Sequence, residues 1–163
     1  MTDTNTSIVT ENAIETVNGY PAKPIWDDYM KFKRGVIPAL MKFKQECPYS
    51  AGVEKRKEGL MELLEEFETV YGMAAPILEF TEPEKNYSYE SHYIPEEHKI
   101  VMVGKLSIIT FLHEFAHSQG KDEVSAVKWS LSLFKRCFPR AFVKLVANAH
   151  MMVSPETQEV VNA

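Results

Sequence analysis

Two cysteines among 163 residues, Cys47 and Cys137, are too few and too far apart for a disulfide scaffold. Neither belongs to a CxxC pair, so a zinc ribbon is excluded and buried free thiols are expected. No apolar run approaches membrane-spanning length, and the first ten residues lack the basic start and apolar stretch of a secretory signal. A soluble, cytoplasmic protein without a membrane partner is the expectation. Internal repeats and low-complexity tracts are also missing, which excludes solenoids and fibrous architectures. Neither sign of charge dominates: the net charge is -5, with 25% charged residues. What the chain does have is 45% hydrophobic residues and 18 aromatics, enough for one globular core.

The pattern along the chain predicts an α+β fold. Residues 1–23 are polar and aperiodic and read as an N-terminal arm. A single domain is expected over 24–152, followed by a tail over 153–163. From Trp26 to Lys44 an apolar stripe of Tyr29, Phe32, Val36, Leu40 and Phe43 follows helical spacing, with a kink expected at Pro38. Ala51 to Tyr71 is amphipathic, with Leu60, Leu63, Leu64 and Phe67 on one face and Gly72 as its stop. The period then changes to two. Ile77–Phe80, Tyr87–Ile94 and Lys99–Val103 predict a three-stranded antiparallel meander. Helical spacing returns over Ser107–Ser118, Asp122–Phe138 and Arg140–Met152.

The helix expected over Ser107–Ser118 contains His113-Glu114-Phe115-Ala116-His117, an HExxH pattern. Histidines four apart on a helix share a face, so both imidazoles reach one tetrahedral ion and Glu114 lies beside them. Neutral imidazoles suit zinc (Zn2+), which brings the pKa of a bound water to roughly 7. Glu114 is then the candidate general base.

A catalytic zinc needs a third protein ligand. Gly120 can end the helix and return the chain toward His113 and His117, bringing Asp122 and Glu123 within reach. Glu123, Ala126, Val127, Ser130, Leu131 and Phe134 fall on one helical face. Glu123 therefore heads a stripe expected to be buried, and an inward carboxylate is costly unless it binds a metal or a partner. This makes Glu123 the expected third ligand and Asp122 the helix N-cap. His92, His98 and His150 lack ligand spacing and read as surface or hydrogen-bonded residues. Trp129, Phe134 and Phe138 read as packing.

The HExxH helix, coming after the strands, resembles that of the zincin metallopeptidases. The spacing His113-Glu114-x-x-His117-x-x-Gly120-x-x-Glu123 is similar to the metzincin signature, but metzincins end it with His or Asp. The segment Glu123-Val-Ser-Ala126 resembles the ImmA/IrrE-type pattern, in which a glutamate opening the next helix completes the zinc site. An ImmA/IrrE-like or SprT-like minimal zincin is thus the nearer resemblance, covering roughly residues 75–140, without a preceding helix-turn-helix or a Cys-rich ribbon.

The resemblance implies peptide-bond hydrolysis, with a protein or peptide substrate laid as an added strand along Tyr87–Ile94 or Lys99–Val103. Tyr87, Tyr89, Tyr93, His92 and His98 are the candidate oxyanion donors in that region. Residues 105–150 carry 7 basic and 3 acidic groups. Lys121, Lys128, Lys135, Arg136, Arg140 and Lys144 therefore form a basic C-terminal surface that can bring the protein to nucleic acid. Two other functions share the metal: a non-catalytic zinc-stabilised interaction domain, and a metal-dependent hydrolase acting at nucleic acid.

Overall fold

In the computed structural model, the described residues are 16–17, 20–21, 26–83 and 90–147. Thr16–Val17 (β1) and Tyr20–Pro21 (β2) form a short antiparallel pair, in a unit separate from the body over Ile25–Val143. The rest of the expected arm, the 153–163 tail, Tyr87, Tyr89 and His150 lie outside the described residues.

The body begins with an irregular strap over 26–35, not the expected helix. Its backbone is tied to α4 (Glu123–Cys137) by side chains. Ser132 Oγ accepts from Asp27 N (2.7 Å), and Arg136 donates to the carbonyls of Met30 (2.8 Å) and Asp28 (2.7 Å). Lys135 pairs with Asp28 at 2.6 Å and lies 5.3 Å from the ring centre of Trp26. Two cations of the expected basic surface are therefore engaged within the body.

Helix α1 covers Val36–Glu46, and Val36, Ala39, Leu40 and Phe43 face inward at helical spacing. Pro38 does not kink it. The helix starts at Val36, so Pro38 sits in the first turn, where its missing N–H costs no hydrogen bond. Helix α2 covers Val53–Tyr71 and ends at Gly72 (φ 63°), whose N–H reaches the Glu68 carbonyl at 2.8 Å. The two helices run antiparallel and close. A Cβ on Gly59 would collide with Cys47 Sγ, so only glycine permits that approach.

The sheet is mixed, which corrects the antiparallel meander. Its order is β3-β5-β4, with β5 (Lys99–Val103) in the centre. β3 (Ile77–Thr81) runs parallel to β5, and β4 (His92–Ile94) pairs antiparallel with it. At the shared end of β3 and β5, Gly104 N donates to the Thr81 carbonyl at 3.1 Å. Side chains alternate with period two in both kinds of pairing, so periodicity does not distinguish them. The hydrophobic run does mark the central strand, since Ile100 to Val103 are all buried.

Helix α3 (Ile108–Ser118) is buried almost all round. Phe115 is its hub, with ring centres at 4.9 Å from Phe67, 5.6 Å from Tyr71 and 6.0 Å from Trp129. Helix α4 packs along α3, and α5 (Pro139–Ala147) follows, with Phe142 buried. Trp129, Phe134 and Phe138 are packing residues, as expected. With α5 the described residues make an α+β fold, five α-helices and a small three-stranded mixed sheet. No described helix is long and apolar enough to cross a membrane.

Candidate metal centre

The apolar faces of α3 are taken up by α2, α4 and the sheet, and this fixes where its polar residues project. His113 and His117, one turn apart, place their rings perpendicular, with centres 4.6 Å apart. Beyond Ser118 the helix closes on itself: Gly120 N donates to the His117 carbonyl at 2.9 Å and Lys121 N to the Ala116 carbonyl at 3.2 Å. Gly120 takes the left-handed conformation (φ 86°) expected of it. The chain then turns into α4, where Asp122 caps the helix by accepting from Ser125 N at 2.8 Å. That bond holds the Asp122 carboxyl below its ordinary range. Glu123 is the first residue of α4.

The three predicted ligands meet. His113 Nε2 and His117 Nε2 are 3.1 Å apart, and Glu123 Oε2 lies 3.3 Å from the first and 3.0 Å from the second. This His-His-Glu group can hold a metal ion. Ligand atoms about 2.0–2.1 Å from a tetrahedral zinc are roughly 3.3 Å apart, close to the spacing observed. Among the described residues the group has no fourth His, Cys, Asp or Glu, so His92 and His98 do not close it.

Glu123 was expected to point into the core, and it does not. Its side chain is 68% exposed, while Ala126, Val127, Ser130, Leu131 and Phe134 behind it are buried. As the first residue of α4, it lies at the rim, where its carboxylate bends toward the imidazoles. The position is as expected, but the burial argument for it fails.

Hydrogen bonding explains why this group wants a cation. His117 Nδ1 lies 2.9 Å from the Lys121 carbonyl; a carbonyl only accepts, so Nδ1 carries the proton. In a neutral ring Nε2 is then a bare lone pair, facing a carboxylate. A proton or a metal must lie between them. Accordingly, the Glu123 hydrogen bond raises the His117 pKa, and both imidazoles push the Glu123 carboxyl well below its usual range. The Lys121 carbonyl orients His117 in the manner of many zinc ligands. Sequence reasoning missed it because a backbone atom has no residue signature, although Gly120 marked the turn. The corresponding atom of His113, Nδ1, is buried without a hydrogen-bond partner among the described residues.

Glu114 is buried on the same helix. Burial raises its carboxyl pKa, opposed by the charges of His113 and His117. Among the described residues its carboxylate takes no hydrogen bond.

The sheet offers one strand edge beside this helix. β4 lies at the border of the sheet against α3, with its outer edge unpaired by strands among the described residues. Lys99–Val103, the other expected edge, is central and paired on both sides, which removes it as a docking strand. Tyr93 and His98 are joined to each other, Oη to Nδ1 at 2.7 Å, and His98 Nε2 donates to the Ala74 carbonyl at 3.1 Å. His98 is thus the hydrogen-bonded structural histidine that was expected.

No protein-family model, no curated protein and no solved structure matches this chain. What the structure shows is the His113, His117 and Glu123 triad, a possible metal site.

Proposed function

We propose that this protein is a zinc-dependent peptidase of the minimal zincin kind, hydrolysing peptide bonds with Glu114 as general base. The observation that carries the reading is a three-ligand site beside the buried Glu114 carboxylate, the site open and the carboxylate without a hydrogen bond among the described residues. Zinc held by His113, His117 and Glu123 would polarise a scissile carbonyl and acidify a water. Glu114 takes the proton from that water onto its carboxylate and returns it to the leaving nitrogen as the C–N bond breaks. Its raised pKa suits both transfers, since the protonated form is less costly than in water. The outer edge of β4 is suited to hold an extended peptide by main-chain hydrogen bonds.

The test is Glu114→Gln, compared with wild type for zinc content and for cleavage of an unfolded protein. One zinc per chain in both is expected, with turnover reduced about 10²- to 10⁴-fold in the variant. Equal turnover would remove Glu114 from the chemistry, and absence of zinc from wild type would remove the metal.

A further inference from the structure

The two histidines of the triad are held differently. His117 Nδ1 donates to the Lys121 carbonyl at 2.9 Å, so in the neutral ring Nε2 is already the bare lone pair that a metal needs. His113 has no such anchor. Its Nδ1 is buried and meets no hydrogen-bond partner among the described residues, whereas its Nε2 faces His117 Nε2 at 3.1 Å and Glu123 Oε2 at 3.3 Å. A neutral imidazole carries one proton, on one nitrogen or the other. On Nε2 that proton is donated to the Glu123 carboxylate; on Nδ1 it would be a buried donor without an acceptor, which is costly. Without metal, therefore, the His113 proton sits on Nε2, inside the triad. A metal requires the opposite form, because this proton covers the lone pair that would bind the ion.

We propose that His113 must exchange tautomers to bind metal, and that this exchange makes the triad a weak, readily reversed site. The ring gives its Nε2 proton to solvent and takes one onto Nδ1, so it stays neutral and no net proton is released. In the loaded form Nδ1–H is a buried donor with no acceptor, and its cost is subtracted from the affinity for the ion. His117 makes no such change, since the Lys121 carbonyl keeps its proton on Nδ1 in both forms. The inference rests on the metal-site reading above and not on the peptidase chemistry: it concerns how firmly the ion is held. A site with an acceptor at both Nδ1 atoms would hold its ion more tightly.

The experiment uses the full chain with isotope-labelled histidine, and zinc as the probe. Long-range proton–nitrogen NMR, at a mildly alkaline pH where both rings are neutral, reads which ring nitrogen carries the proton. In metal-free protein it is expected on Nε2 of His113 and on Nδ1 of His117; with zinc, on Nδ1 of both. A second arm is His113→Nδ-methylhistidine, in which a methyl group replaces the orphaned proton and the Nε2 lone pair is always free. Its zinc affinity, measured by competition with a chelator, should rise about 10- to 100-fold, the equivalent of one unsatisfied buried donor. The same change at His117 removes the Lys121 bond and should lower the affinity. A His113 proton already on Nδ1 in metal-free protein would overturn the proposal, as would unchanged or weaker zinc binding by a folded His113 variant. If the methyl group disrupts folding, seen by far-UV circular dichroism, the tautomers of wild type decide alone. Failure of wild type to take up zinc would overturn the metal site itself, whereas zinc uptake without tautomer exchange would sink this inference and leave that site standing.

Discussion

His117 shows how one hydrogen bond sets the character of the whole triad. Its Nδ1 proton is committed to the Lys121 carbonyl, so its other nitrogen must meet Glu123 through a proton or a metal. The two choices respond oppositely to pH. His117 has a pKa raised above 6.5, so its stabilising effect is full below 6.5 and lost as pH rises through the raised value. Glu123 is lowered from 4.5, so its contribution is present above 4.5 and lost as pH falls through the lowered value. Without metal the triad is therefore most favourable between those two ordinary values. Metal binding instead needs deprotonated imidazoles and strengthens as pH rises. The difference in melting temperature between zinc-loaded and chelated protein should widen steadily from pH 5 to pH 8; a constant difference would dissociate the metal from these histidines. The ligand residues were legible because helix periodicity carries i, i+4 pairs and because Gly120 marks the turn. The exposure of Glu123 was not legible, since a stripe of apolar residues does not say whether its first member reaches the core.

At the scale of elements, the approach of α1 to α2 depends on one missing methyl group. Gly59→Ala would drive a Cβ into Cys47 Sγ and press on Phe43, an overpacking that costs about 1–3 kcal/mol. The expected outcome in denaturant unfolding is a lower midpoint for Gly59→Ala, largely restored in Cys47→Ala/Gly59→Ala, where the colliding sulfur is gone. Additive losses in the double variant would place the strain elsewhere. The end of α2 and the start of α4 were readable because Gly72 and Asp122 are a stop and a cap with a mechanism. The strap over 26–35 was not. Its Tyr29 and Phe32 mimic a helical stripe, yet the segment is held by Ser132, Lys135 and Arg136, more than ninety residues away in the chain. Parallel pairing of β3 was hidden for a similar reason, because it is decided by where the chain crosses and not by which residues alternate.

Across the whole molecule, Arg56 joins the parts that support the site. Its guanidinium is buried, donates to the carbonyls of Cys47 (2.6 Å) and Leu106 (2.7 Å), and lies 4.1 Å from the ring centre of Tyr49. It thereby links the end of α1 to the turn that launches α3. Arg56→Met leaves both carbonyls without their charged donor and should cost about 2–4 kcal/mol in unfolding free energy, far more than loss of an exposed cation such as Lys128. The ligand triad itself is local in the chain: His113, His117 and Glu123 all lie on two adjoining helices, with only a tight turn between them. The ion would be a passenger on a finished scaffold. Stripping it should leave the circular dichroism spectrum of the folded chain in place while lowering the melting temperature, and reloading should need no refolding. Metal occupancy could then rise and fall with supply while the shape of the chain stays the same.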